Sequence, residues 1–243
     1  MRWKCICAYD GTDFYGWQSQ TGGNTIQDLI EAQLKRVFKK PVRIHGSGRT
    51  DSGVHAQGQT FHFDGVWKHS KEDLLTALTS KLPETVQISS LEKATDDFHA
   101  RYSVVGKRYR YNLFLGYAPP TETRYCWSLG RRDLDIDLMR KAADGLLGKH
   151  DFSAFGVRTS AKENPVKDLR RLDVVIKGPR LKVTTEASGY LYKMVRSLVG
   201  ALVEVGIGKL KPQDLKTILK SRKRTHKIPT GPARGLFLDR VFY

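Results

Sequence analysis

Cysteine is scarce in this chain, and long apolar runs are missing altogether. Cys5, Cys7 and Cys126 are the only three in 243 residues, too few and too scattered for a disulfide-dependent fold. Cys5 and Cys7 alternate with apolar neighbours, so on a strand they face one side and read as small buried hydrophobes rather than as metal or redox groups. No apolar stretch reaches the roughly 18 residues of a membrane span, and the opening residues already read as a strand, so neither a membrane segment nor an export signal is expected. A reducing cytoplasm is the expected location. Also missing are a G-x-x-x-x-G-K-S/T phosphate loop, a G-x-G-x-x-G after a strand, an H-E-x-x-H pair and any low-complexity tract. Gly206-Ile207-Gly208-Lys209 lacks the rest of a phosphate loop and reads as a helix stop. The seven histidines are dispersed. His55, His62 and Asp64 form the one group close enough to suggest a metal, but Gln59, Phe61 and Phe63 indicate a strand on which His62 and Asp64 are ordinary polar residues of one face.

Acidic residues are also outnumbered. Lys and Arg total 42 against 25 Asp and Glu, a net charge of +17, with a pI near 9.8. The excess is one-sided: residues 1–102 hold 13 basic and 12 acidic side chains, net +1, and residues 103–243 hold the remaining +16. Such an imbalance points to a polyanionic partner or an anionic surface. Aromatic residues stand among the cations, as in a binder of structured RNA, where phosphate contacts supply affinity and rings stack on unpaired bases. Lys107, Arg108 and Arg110 flank Tyr109 and Tyr111, and Arg131, Arg132, Lys220, Arg222, Lys223 and Arg224 are candidates to follow backbone phosphates. Tyr111 reads as core.

The chain is long enough for one large domain or two small ones, with 40% hydrophobic residues to fill a core. Arg2 to Tyr9 alternates as a half-buried strand, with Trp3, Cys5, Cys7 and Tyr9 on one face. Thr25 caps a helix carrying Ile26, Leu29, Ile30, Leu34, Val37 and Phe38, which Pro41 ends. Val42 to His45 and Gln57 to Phe63 read as strands, Lys71 to Leu82 as a helix and Thr85 to Leu91 as a strand. The polar segment Asp96 to Ser103 divides an N-terminal domain, 1–102, from a strongly basic one, 103–243. There Lys107 to Leu115 reads as a strand, and Ile136 to Leu147 as a helix closing near Gly148. Asp168 to Ile176 and Leu181 to Ala187 form a hairpin around Gly178-Pro179, and a long apolar helical face runs from Tyr190 to Val203. Pro212 opens a short helix and Leu236 to Phe242 make a last strand. This mixture argues for an α+β chain with helices over a largely antiparallel sheet.

Gly46 to Ala56 concentrates polarity where a core should pass. Its glycines permit sharp turns, and Arg49 stands two residues before Asp51, where a nearby cation keeps a carboxylate ionised in a partly dry pocket. That suits a nucleophile or a base; a glycine-rich turn with a surface ion pair is the plainer reading of the same pattern. Arg196 is the anomaly of its apolar helix, beside Val195 and Val199, and either meets an anionic partner or snorkels to water.

Gly48-Arg49-Thr50-Asp51-Ser52-Gly53-Val54-His55-Ala56 closely resembles the catalytic loop of the TruA family of transfer-RNA pseudouridine synthases. Further family patterns are similar to Tyr9-Asp10-Gly11-Thr12 with Tyr15-Gly16-Trp17-Gln18, Asp97 to Arg101, Lys107 to Tyr111 and Met194 to Gly200, in that order. The resemblance implies two similarly built α/β halves joined through a largely antiparallel sheet with helices packed on it, an active-site cleft between them, and a homodimer. It implies isomerisation of uridine to pseudouridine at positions 38, 39 and 40 of the tRNA anticodon stem-loop, with no cofactor and no metal. Asp51 becomes the essential carboxylate, attacking covalently or removing a ribose proton. Arg49 and Arg196 set its charge and orientation, and Tyr109 holds the target base. Ser52 stands where alanine is common in the family, and Thr79 to Pro83 where asparagine often occurs. Both departures leave open which uridines are reached. Two other readings stay open: a synthase of this family acting on other uridines, and a non-catalytic RNA-binding protein on the same scaffold.

Overall fold

In the computed structural model, which describes residues 1–157 and 163–243, the chain divides into one unit of Met1–Val105 with Phe237–Tyr243 and another of Gly106–Leu236. The first begins with β1 (Arg2–Tyr9), whose Trp3, Cys5, Cys7 and Tyr9 are buried on one face, as the period of two requires. Burial holds the thiols of Cys5 and Cys7 well above their usual range. Next comes α1 (Ile26–Phe38), started by Thr25, whose hydroxyl accepts from the Asp28 amide. That cap stabilises the helix by about 1 kcal/mol. Lys39 stops it in a left-handed conformation, two residues before Pro41.

Strand β2 (His45–Gly46) is shorter than its sequence suggested. Val42 and Ile44 are buried, but the Ile44 amide donates to Glu31 Oε1 on α1 at 3.0 Å, so a side chain takes the donor that a strand would have used. After β3 (His55–Asp64), helix α2 (Lys71–Thr79) and β4 (Val86–Ala94), the sheet order is β4, β1, β3 and then the chain's final strand, Leu236–Phe242. The first pairings are antiparallel, with Cys5 opposite both Phe61 and Leu91. The final strand runs parallel to β3, pairing Phe237 with His55. Strand β3 is buried on both faces except at Gln57 and Asp64, not alternately as its sequence suggested. Helix α2 stops at Thr79 rather than Leu82, because the Leu82 amide turns back to Thr79 O ahead of Pro83.

The second unit comprises β5 (Gly106–Phe114), β6 (Trp127–Ser128), α3 (Ile136–Asp144), β7 (Gly148–Asp151), β8 (Val166–Lys177), β9 (Arg180–Ala187), α4 (Met194–Gly206) and α5 (Pro212–Ser221). Strands β5, β9, β8 and β7 are antiparallel neighbours in that order. The β8–β9 hairpin turns at Gly178, φ +56°. Helix α4 is almost wholly buried and packs on α3. Its start corrects the sequence pattern: Tyr190 lies outside it, with left-handed Lys193 between. A short strand, β7, occupies the place where a helix end was read. Gly200 lies under Pro229, whose carbonyl a Cβ there would overlap. All three cysteines are free and buried, and no helix among the described residues is long and apolar enough to cross a membrane.

Candidate active site

The loop joining β2 to β3 carries Arg49 and Asp51, and residues of the first unit grip it along its length. At its start Ser47 donates from Oγ to Gln59 Oε1 at 2.6 Å, and Gln59 in turn donates to Gly48 O at 2.9 Å. In the middle, Thr50 is buried; its hydroxyl lies 2.9 Å from Tyr9 Oη, and its carbonyl accepts from the Trp17 amide at 3.2 Å. The Asp51 carbonyl accepts from Val54, closing a turn through Gly53 at φ +75°, a conformation that glycine adopts without strain. Gly16, φ +86°, presses its backbone on this turn, and a Cβ there would lie 3.0 Å from Asp51 C and closer to Thr50 O. At the far end the Gly11 amide donates to His55 Nδ1 at 3.1 Å, beside Asp10 Oδ1, while the His55 ring stacks on Phe237 at 4.6 Å. The two segments that begin the family pattern are therefore the clamps of its loop. Asp51 itself is half-buried. Arg49 is exposed and donates from Nε to Gln18 Oε1 at 3.3 Å, and Gln18 donates onward to Gln27.

In the second unit, Tyr109 lies on β5 opposite Thr185 of β9. It is 8% exposed, with its ring edge-on to Tyr190 at 5.1 Å. Tyr190 is pinned through its hydroxyl, 3.1 Å from Thr185 Oγ1 and 3.4 Å from Lys107 O, and burial raises its phenol far above the usual range. Tyr111 is core, as read, and donates to Pro232 O at 2.7 Å. Arg196, on α4, donates from Nε to Gly231 O at 2.7 Å while its own carbonyl accepts from the Gly231 amide. The segment Thr230-Gly231-Pro232 thus fastens both Arg196 and Tyr111. Sequence reading passed over it, although the close run of Pro229, Gly231, Pro232 and Gly235 marks a chain pressed against something.

The basic candidates do not all behave alike. Gly106–Leu236 carries 28 basic and 12 acidic residues, so the whole +16 falls within this unit. Arg131, Arg132, Lys220, Arg222, Lys223 and Arg224 are all exposed, as phosphate contacts must be, and Arg222 Nε stands 3.8 Å from Asp151 Oδ2. Arg108 instead pairs with Glu186 at 2.7 Å. Arg224 donates to Ser197 and Thr230 at 3.1 and 2.9 Å.

Among the histidines, His62 is 2% exposed and Asp64 is a bidentate partner of Arg2, which holds the Asp64 carboxyl below its usual range. His62 accepts from the Ala100 amide and stands within 5.0 Å of the rings of His45 and His99. Burial first, then those imidazoles and Arg2, push its pKa down to about 4. Among the described residues no group of three or more His, Cys, Asp or Glu could hold a metal ion.

A family model described as tRNA pseudouridine synthase matches residues 6–103 and 142–243. Among curated proteins, tRNA pseudouridine synthase A of Geobacillus kaustophilus (strain HTA426) is 41% identical over 244 residues, covering 100% of this chain and 95% of that protein. The protein of the same name from Exiguobacterium sibiricum is 39% identical, covering 100% and 96%. A solved Cbf5-Nop10-Gar1 complex aligns over 84% of this chain and 45% of that chain at 13% identity, with a TM-score of 0.37, a likeness too slight to bear on the fold.

Proposed function

This chain belongs to the tRNA pseudouridine synthase family, and from that premise we propose that it isomerises uridine to pseudouridine at positions 38, 39 and 40 of the tRNA anticodon stem-loop. The reaction exchanges the N1–C1′ bond of the nucleoside for a C5–C1′ bond and moves a proton from C5 to N1, so nothing is consumed. Asp51 is the essential carboxylate, acting by covalent attack or by removing a ribose proton. Arg49 and Arg196 set its charge and orientation. Tyr109, its plane held by the pinned ring of Tyr190, stacks on the uracil. The target must leave its own stack to reach a carboxylate, which a stem-loop uridine does at lower cost than one deep in a duplex. The +16 unit supplies affinity for phosphates, and a homodimer in the cytoplasm is part of the same reading.

The observation that carries this proposal is the clamp on the loop. Tyr9, Gly16 and Trp17 fix the backbone on either side of Asp51, as a catalytic group must be fixed and a surface ion pair need not be. The test is position-resolved pseudouridine mapping of an unmodified tRNA transcript incubated with the purified protein. Product at positions 38 to 40 is expected. Product only elsewhere would keep the reaction and refute the site, and tight binding with no product on any tRNA would refute the enzyme.

A further inference from the structure

We propose that Arg224 is a positioning residue for Arg196, not one of the phosphate contacts among which its sequence context places it. The inference rests on the role given to Arg196 above. The basic run that follows α5 is exposed at Arg222, Lys223 and Arg224 alike, but the Arg224 guanidinium directs both its terminal nitrogens at its own protein. One terminal nitrogen donates to Ser197 Oγ at 3.1 Å, the other to Thr230 Oγ1 at 2.9 Å. Ser197 is wholly buried and follows Arg196 on α4. Thr230 precedes Gly231, whose carbonyl accepts from Arg196 Nε and whose amide donates to Arg196 O. The five residues form a closed ring: Arg224 ties the helix at Ser197 to the loop at Thr230, and the adjacent residues, Arg196 and Gly231, are joined by two hydrogen bonds.

The fork geometry matters. A guanidinium reaches two acceptors from one planar group, whereas an ammonium is a single compact charge. Gly200 and Pro229 show how close the loop lies to the helix, since a Cβ at Gly200 would overlap Pro229 O. Loss of the Arg224 bridge leaves that loop free to drift from α4, and the Nε acceptor of Arg196 drifts with it.

Arg224→Lys keeps the charge and breaks the bridge, and Arg224→Gln removes both. If the residue positions Arg196, both variants lose about tenfold or more in single-turnover rate at saturating tRNA, the order expected when a catalytic group shifts by a fraction of an ångström. Their tRNA affinity and its salt dependence stay as in the parent protein. Ser197→Ala with Thr230→Val reproduces that loss and adds little to Arg224→Gln. A parent-like rate in Arg224→Lys would overturn the proposal. So would an Arg224→Gln that keeps its saturating rate while affinity falls and the salt slope drops by about 0.7–0.9, the signature of one lost phosphate contact. A lower melting temperature with an unchanged rate would overturn it too, by making the ring structural only. Hydrogen exchange at the Arg196 Nε–H, followed by ¹⁵N NMR, separates failure of the functional reading from failure of this one. It should be slow in the parent protein and fast in Arg224→Lys, whether or not the protein forms pseudouridine; equal exchange would overturn the latch.

Discussion

Gly16 offers the sharpest perturbation of the loop clamp, because a second glycine in the same segment supplies its control. Gly16 and Gly22 both have left-handed backbones, at φ +86° and +97°. An alanine at either position costs about 1–2 kcal/mol from the conformation alone. Around Gly22 nothing lies within 4 Å of an added Cβ, whereas at Gly16 that atom meets the backbone of Thr50, Asp51 and Ser52, with Asp51 C at 3.0 Å and Thr50 O nearer. Backbone cannot rotate aside, so the turn must move by roughly half an ångström in an interior packed as densely as a crystal. Gly22→Ala is therefore expected to lower the melting temperature by a few degrees with the rate unchanged. Gly16→Ala should lower it further and reduce single-turnover pseudouridine formation by about ten- to a hundredfold. The assay is single-turnover kinetics at saturating tRNA, beside thermal denaturation of both variants. Equal rates would refute the reasoning that Gly16 sets the position of Asp51.

Two further outcomes follow from charge. The His62 pKa, ordinarily near 6.5, is held at about 4, so between those values the unfolded chain takes up a proton that the folded protein refuses. Stability is complete above pH 6.5 and falls as pH drops toward 4. The shift corresponds to at most about 3 kcal/mol, and screening through the solvent-facing His45 and His99 reduces this to about 1–2 kcal/mol. Denaturant midpoints at pH 7 and 4.5 should fall further in the parent protein than in His62→Gln; equal falls would rule the histidine out. Neutralising Arg222 and Lys223 together should flatten the dependence of log affinity on log salt by about 1.4–1.8, the release of two counterions, and an unchanged slope would make them bystanders.

What the sequence discloses and what it conceals divide by range. Strand β1, the Thr25 cap, the Gly178 hairpin and the Pro212 helix start are legible because each depends on residues within a few positions of itself. Val42 to Ile44 misleads because Glu31, eleven to thirteen residues earlier, takes a backbone donor. Strand β3 misleads because residues distant in sequence cover its second face: Phe237 stacks on His55, and residues 98–100 cover His62.

The candidate site divides in the same way. Asp51, Arg49, Tyr109 and Arg196 are singled out by motif resemblance, which carries long-range information that periodicity lacks. The partners that hold them, such as Gln18 beside Arg49, Tyr190 against Tyr109 and Gly231 on Arg196, have no local signature. Charge is legible as a total but not as a role. Arg108 and Arg224 look like their neighbours in the sequence, yet each is engaged by its own protein, through Glu186 and through Ser197 with Thr230.

The most direct measurement is pseudouridine formation by Asp51→Asn. The substitution removes the charge and nearly preserves the shape, and it leaves Tyr9, Gly16 and Trp17 to hold the loop backbone. The account predicts tRNA affinity within a few-fold of the parent protein and no detectable product in a single-turnover assay. Product formed at a rate near the parent's would contradict it, removing Asp51 from the chemistry.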